Sequence, residues 1–118
     1  MSDSFFPGTS QELHDLVVSG QLPLPLDLLF DMDRWCVEGH TVSEERAARD
    51  IFSHAVWVAM KAGRVVKFGP VGENNNSVGA YILDTNRPFD KWVEHIASTP
   101  LHALAAIWPK LGIKEPPQ

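Results

Sequence analysis

The sequence predicts an α+β domain that is mostly helical, with about five helices and one antiparallel two-stranded β-ribbon. The ribbon is expected at about residues 64–84, between the third and fourth helices. The helices are predicted because apolar residues recur three and four positions apart along most of the chain. The ribbon is predicted because one segment instead places β-branched and aromatic residues on either side of a run of turn formers. The chain has 118 residues, 44% of them hydrophobic, which is enough for one core. We therefore expect residues 1–118 to form a single domain with frayed ends at about 1–8 and 113–118.

The first two helices are predicted on either side of a proline-containing arm. Thr9 and Glu12 have the spacing of a capping box, which indicates a first helix at about residues 10–19. The following "QLPLPL" cannot be regular helix, because each proline biases the residue before it toward extended geometry. A second, amphipathic helix is expected from Pro25 to Gly39. Its apolar residues at helical spacing are Leu28, Leu29, Met32, Trp35 and Cys36.

The third helix is expected to be the longest and the most enclosed. Thr41 and Glu44 repeat the capping-box spacing, and the helix should run to about Ala62 before Gly63. The run "AVWVAM" at residues 55–60 is apolar on all sides. Such a run is typical of a helix surrounded by neighbours, so we expect this helix to be central.

The second half of the chain contains the ribbon and two further helices. "RVVKF" and "VGAYILD" read as two strands, and the "GPVGENNNS" between them reads as a long, mobile loop. A fourth helix is predicted around Phe89, Trp92, Val93 and Ile96. A fifth should begin at Pro100, and Pro109 should end it.

The sequence also bears on the cellular compartment of the protein and on whether it spans a membrane. The N-terminus lacks the basic region and apolar run of a signal peptide, and a lone Cys36 cannot form an intramolecular disulfide. No apolar stretch approaches the ~18 residues of a membrane span. These features predict a soluble, cytoplasmic protein without a membrane partner.

Charge is divided unevenly along the chain. The net charge is −5. The first fifty residues hold ten acids and three bases, which gives −7, whereas the remainder hold five acids and seven bases, which gives +2. Such asymmetry bears on which partners are attracted, so a basic partner should favour the first half.

The sequence contains no complete signature of an enzyme, a metal site or a nucleotide site. Five histidines and Cys36 lack any zinc-ligand spacing, and the Asp50 and His54 pair, four apart on a helix, is more typical of an ion pair. "FGPVG" lacks the lysine of a phosphate-binding loop. We therefore expect a non-enzymatic protein with no cofactor and no metal.

A winged-helix DNA-binding regulator is one alternative function. "GHTVSEERAARDIF" at residues 39–52 resembles in topology the second half of a helix-turn-helix, and the ribbon after it could serve as a wing. In this alternative, Lys61, Arg64 and Lys67 would contact the DNA backbone. Residues 26–50, however, contain seven acids and three arginines, and this net charge of −4 would be repelled by phosphate. The charge therefore argues against nucleic acid as a partner.

The favoured function is a small cytoplasmic binding protein of the regulatory, inhibitor or immunity type, from a bacterium or a phage. It would use an acidic helical face to bind a partner protein with a basic surface. A subunit of a larger assembly, or a homodimer, is a further alternative, and the acids could also form an ordinary solvated face. The residues predicted to bind the partner are Asp27, Asp31, Asp33, Glu38, Glu44, Glu45 and Asp50.

Overall fold

The computed structural model describes residues 6–72, 77–83 and 93–113. Within these residues the chain forms three helices and two three-stranded antiparallel sheets. The order along the chain is α1 (Ser10–Val18), β1 (Leu28–Asp31), β2 (Arg34–Val37), β3 (His40–Val42), α2 (Glu44–Lys61), β4 (Val65–Val71), β5 (Ser77–Leu83), β6 (Val93–Ala97) and α3 (Pro100–Leu111). The predicted architecture of five helices with one two-stranded ribbon is therefore wrong.

The predicted second helix is a β-hairpin, formed by β1 and β2. Leu28 and Trp35 are buried and point to the same face of the first sheet, because a strand alternates its side chains between two faces. The spacing of the apolar residues suits this alternation as well as a helix. The turn between the strands contains no glycine or proline, so nothing in the sequence marks a break at Met32 and Asp33.

The first sheet is completed by β3, and its strand order is β1-β2-β3. Glu38 and Gly39 connect β2 to β3 with φ angles of 51° and 84°. These two left-handed residues match the two-residue turn that joins antiparallel strands with the natural twist. Gly39 thus belongs to a hairpin and does not terminate a helix.

The long helix α2 forms as predicted, but its N-cap and its degree of enclosure differ from the prediction. Ser43, not Thr41, is the N-cap, and its hydroxyl accepts from the Arg46 backbone N–H. Trp57 and Met60 are each 57% exposed, so α2 is not enclosed on all sides. Its buried face contains one large residue among four alanines: Ala47, Ala48, Ile51, Ala55 and Ala59.

The predicted ribbon forms the first two strands of the second sheet, whose order is β4-β5-β6. β6 replaces part of the predicted fourth helix, and along it the exposed Ile96 lies between the partly buried His95 and Ala97, as expected for a strand. The strands also extend further toward the connecting loop than predicted, to Val71 and from Ser77. The tip of that loop at 73–76, and Phe89 and Trp92 of the predicted helix, lie outside the described residues.

The most enclosed helix is α3, which packs against β5, β6 and α2. Pro100 occupies the first turn, as the sequence predicts, and Thr99 is the N-cap. Pro109 does not end the helix, which continues to Leu111 before Gly112 adopts a left-handed conformation. The buried residues of α3 are Pro100, Leu101, Ala103, Leu104, Ala105, Ile107, Trp108 and Leu111.

One hydrophobic cluster joins the described elements. It includes Leu13 of α1, Trp35 of the first sheet, Ile51 of α2, Ala80 of the second sheet and Leu104 of α3. Near the start of the chain, Phe6 places its ring 6.2 Å from that of Phe52. Of the fraying expected at about 1–8 and 113–118, residues 1–5 and 114–118 lie outside the described residues. Among the helices that the structure describes, none combines the length and the apolarity needed to span a membrane.

Candidate functional site

The β1–β2 turn presents an exposed apolar side chain between two carboxylates. Met32 is 81% exposed, and Asp31 and Asp33 on either side of it are also exposed. The φ angles of Met32 and Asp33 are 49° and 67°. A side chain with a Cβ is disfavoured in this left-handed region by roughly 1–2 kcal/mol relative to the right-handed one, and asparagine and glycine are the usual residues of such a turn. The turn therefore carries a methionine, Met32, that its backbone conformation does not favour.

The strand register divides the predicted acidic residues between the two ends of the first sheet. Val42 pairs with Trp35, so Ser43 lies beside Arg34, which itself pairs with Asp31. The β1–β2 turn and the start of α2 are therefore at the same end. We call Asp31, Asp33 and Glu45 the acidic end. Each of the three is exposed and has no side-chain hydrogen bond or ion pair in the described part of the chain.

Asp27 and Glu38 lie at the opposite end of the first sheet. Asp27 precedes Leu28, which pairs with Val37, and Glu38 follows Val37. Three steps of strand separate Leu28 from Asp31, a distance of about 10 Å. The seven predicted acids therefore do not form one helical face, and those between residues 27 and 38 lie on a sheet and its turns.

The two remaining acids have partners inside the protein. The Glu44 carboxylate accepts from the backbone N–H of Ser10 at 2.8 Å and from the Ser10 hydroxyl at 2.5 Å. It therefore caps the N-terminus of α1, where a negative charge is favoured. Asp50 is half-buried and lies 3.8 Å from the Arg46 Nε.

The basic residues of the DNA-binding alternative do not have equivalent environments. Arg64 Nε donates to the Leu111 carbonyl at 2.7 Å, where it satisfies the C-terminal end of α3. Lys61 and Lys67 are exposed, at the end of α2 and on β4. The winged-helix order also requires helices before α2, whereas the segment between α1 and α2 contains the first sheet.

An open hollow of about 440 Å³ lies between the β2–β3 hairpin and the first turn of α2. Its polar lining consists of one carboxylate, one imidazole, one hydroxyl and one guanidinium, and two valines complete it. The residues are Val37, Glu38, His40, Thr41, Val42 and Arg46. Of these, the sequence analysis selected Glu38 alone. The signal that could have found the others is Gly39 in "VEGHTV", because glycine suits the second position of a two-residue hairpin turn and Val37, Thr41 and Val42 around it favour strands.

A carboxylate, an imidazole and a hydroxyl form a chain between α1 and α3. His102 Nε2 lies 3.0 Å from Glu12 Oε2, and His102 Nδ1 lies 2.7 Å from Thr99 Oγ1. The Thr99 oxygen also accepts from the His102 backbone N–H at 3.1 Å, as the N-cap of α3. Thr99 is 7% exposed. A nucleophile needs access to its substrate, so this chain serves to fasten two helices.

The tryptophans and the potential metal ligands complete the survey of the surface. Trp35 and Trp108 are buried, Trp57 is exposed, and Trp92 lies outside the described residues. Within the described ranges, no three His, Cys, Asp or Glu side chains come together as ligands for a metal ion. Cys36 is a buried free thiol in β2. Comparison with protein-family models, curated proteins and solved structures finds no match for this chain.

Proposed function

We propose that the protein is a small, non-enzymatic, cytoplasmic binding protein that uses its acidic end to bind a partner protein with a basic surface. A regulatory, inhibitor or immunity type of protein fits this activity. The observation that supports it is the β1–β2 turn, where Met32 is 81% exposed between two carboxylates that have no partner among the described residues. The residues proposed to make the contact are Asp31, Met32, Asp33 and Glu45.

The chemistry of the turn suits a protein interface. Methionine is flexible and polarizable, so it adapts to an apolar pocket on a partner, and burying it on binding contributes about 1.5–3 kcal/mol. The surrounding carboxylates would steer a basic surface toward the turn and exclude acidic ones. Folding alone would be served better by Asn-Gly at these two positions, which supports a role for Met32 outside the fold.

Two matched double variants test this proposal. Asp31→Lys with Glu45→Lys reverses two charges of the acidic end, and Asp27→Lys with Glu38→Lys makes the same change in net charge at the opposite end. Proteins captured from a lysate of the encoding organism would be compared at low and moderate salt. We expect one or more proteins that the wild type and the second variant retain and the first variant loses, because reversed charge slows association. Equal retention by both variants, or loss with the second alone, would refute the proposal.

The exposed ridge on α2 favours a second candidate, self-association or membership of a larger assembly. Trp57 and Met60 lie one helical turn apart and are each 57% exposed. Tryptophan is among the residues that contribute most to binding energy at interfaces. Sedimentation velocity over a range of concentrations would test it. A concentration-dependent dimer that Trp57→Ser abolishes would support the candidate, and a monomer at all concentrations would exclude a homodimer.

A further inference from the structure

The hollow beside β3 contains polar groups that the fold does not use. His40, Thr41 and Glu38 are exposed, and the side chains of all three lack a hydrogen-bond or ion-pair partner in the described part of the chain. Arg46 forms an ion pair with Asp50, whose carboxylate lies 3.8 Å from Nε, and this distance is too long for a hydrogen bond. A guanidinium has five N–H donors, and none of those of Arg46 makes a hydrogen bond in the described part of the chain.

The position of Arg46 is unfavourable for the helix that carries it. Ser43 is the N-cap of α2, so Arg46 lies in the first turn. The macrodipole disfavours a positive charge there and favours a negative one. A negative group bound in the hollow would pair with the Arg46 guanidinium and offset this unfavourable interaction.

The remaining lining residues limit what else the ligand can carry. Glu38 is an acceptor on the β2–β3 turn, and it needs a donor such as an ammonium or a hydroxyl. Val37 and Val42 supply an apolar wall. The volume of about 440 Å³ falls within the range of about 300–1,000 Å³ that is typical of small-molecule sites.

We propose that this hollow binds a small ligand through an anionic group, a carboxylate or a phosphate. Arg46 pairs with the anion, His40 and Thr41 donate hydrogen bonds to it, and Glu38 accepts from an ammonium or hydroxyl on the same molecule. The site is distinct from the acidic end. It does not depend on the proposed protein-binding function.

Nitrogen–proton correlation spectra of the full chain, titrated at low salt with two pairs of probes, test the site. Acetate and glycine share a carboxylate, and inorganic phosphate and phosphoethanolamine share a phosphate. The second member of each pair adds an ammonium. We expect saturable shifts of the Thr41, Val42 and Arg46 amides, and tighter binding of the second member of the preferred pair. The pair that binds more tightly shows whether the anionic group is a carboxylate or a phosphate.

Two variants and a matched control separate a built site from general charge attraction. Arg46→Gln should weaken binding of the preferred probe by about tenfold or more, because it removes a charge-assisted contact. Arg49→Gln changes the same charge on an exposed residue of the same helix that does not line the hollow, and it should leave binding unchanged. Glu38→Gln should remove the preference for the ammonium-bearing probe and leave binding of the simple anion intact.

Three results would overturn the proposal. The first is the absence of saturable shifts around the hollow with all four probes. The second is an equal loss of binding in Arg46→Gln and Arg49→Gln, which would indicate attraction without a site. The third is an unchanged preference for the ammonium-bearing probe in Glu38→Gln, which would remove Glu38 from the site.

Discussion

The two three-stranded sheets of this protein differ in what they contribute. The second sheet has strands of seven, seven and five residues, and its middle strand packs against α3, the most enclosed helix. The first sheet has strands of four, four and three residues joined by two-residue turns. Its two ends carry exposed charges without partners among the described residues.

We therefore expect the buried core to determine stability and the exposed ends of the first sheet to be available for recognition. Burial of apolar area contributes most of the favourable free energy of folding, and α3 buries most of its residues, together with Leu28 and Trp35 on the inner face of the first sheet. The turns at the two ends of the first sheet are exposed and add little buried area, so they can tolerate unusual residues. The contrast predicts that substitutions around α3 change stability, whereas substitutions at the ends of the first sheet change binding.

The largest effect on stability is expected from a cavity in α3. Leu104 is 0% exposed, so Leu104→Ala should lower the free energy of unfolding by about 2–5 kcal/mol. Leu29→Ala in β1 is the matched control, because Leu29 is 58% exposed and the same atoms are removed. Urea unfolding followed by circular dichroism would measure both. Similar losses for the two variants would contradict the contrast between the buried core around α3 and the exposed surface of the first sheet.

A smaller, opposite effect is expected at the β1–β2 turn. Met32→Asn with Asp33→Gly installs the residues that favour two left-handed positions, so the free energy of unfolding should rise by about 1 kcal/mol. Urea unfolding of this variant beside the wild type would measure the gain. The control, Asp27→Asn, lies outside the turn and should leave stability unchanged. A turn variant less stable than the wild type would indicate that residues 32 and 33 do not adopt left-handed conformations in solution.

The contact between Glu12 of α1 and His102 of α3 should contribute less to the free energy of unfolding. Glu12 and His102 are 3.0 Å apart, and their side chains are 47% and 30% exposed. A double-mutant cycle with Glu12→Ala and His102→Ala should give a coupling free energy of about 0.2–1 kcal/mol, as expected for a partly exposed pair. His102→Ala also removes the contact between His102 and Thr99, and the cycle subtracts that loss because it occurs in both backgrounds. Additive losses would indicate that the two side chains do not interact in solution.

The smallest effect on stability is expected for a charge at the acidic end. Glu45 is exposed and has no side-chain partner in the described part of the chain, so Glu45→Lys should change the free energy of unfolding by no more than about 0.5–1 kcal/mol, most of it from the helix dipole. Glu44→Lys on the same turn would also remove the cap on Ser10 and should be worse. Thermal unfolding would compare them. An equal or larger loss for Glu45→Lys would assign it a structural role.

The sequence was sufficient to predict the helices that have a cap and a one-sided apolar stripe. Thr9 and Pro100 mark the starts of α1 and α3, and the ribbon of β4 and β5 follows from its β-branched residues. The first sheet was missed because the Met32-Asp33 turn lacks glycine and its strands fit a helical spacing by chance. β6 was missed because Val93 and Ile96 are also three apart.

The candidate sites were harder to predict than the helices. Individual acids were identifiable, but their grouping depends on strand register, which splits Asp31 from Glu38. Arg46 is four residues from Asp50 on α2 and forms an ion pair with it, so its sequence position gives no sign of a role in a site. Only the position of β3 beside the first turn of α2 brings Arg46 to the hollow.

We propose the acidic end as a binding surface that the fold does not require. Partner capture by the Met32→Asn, Asp33→Gly variant, with its stability measured in the same preparation, separates binding from folding. We expect this variant to be more stable than the wild type and yet to lose the partner that the wild type and Asp27→Asn retain. Full retention of that partner by the stabilised variant would refute a binding role for the turn.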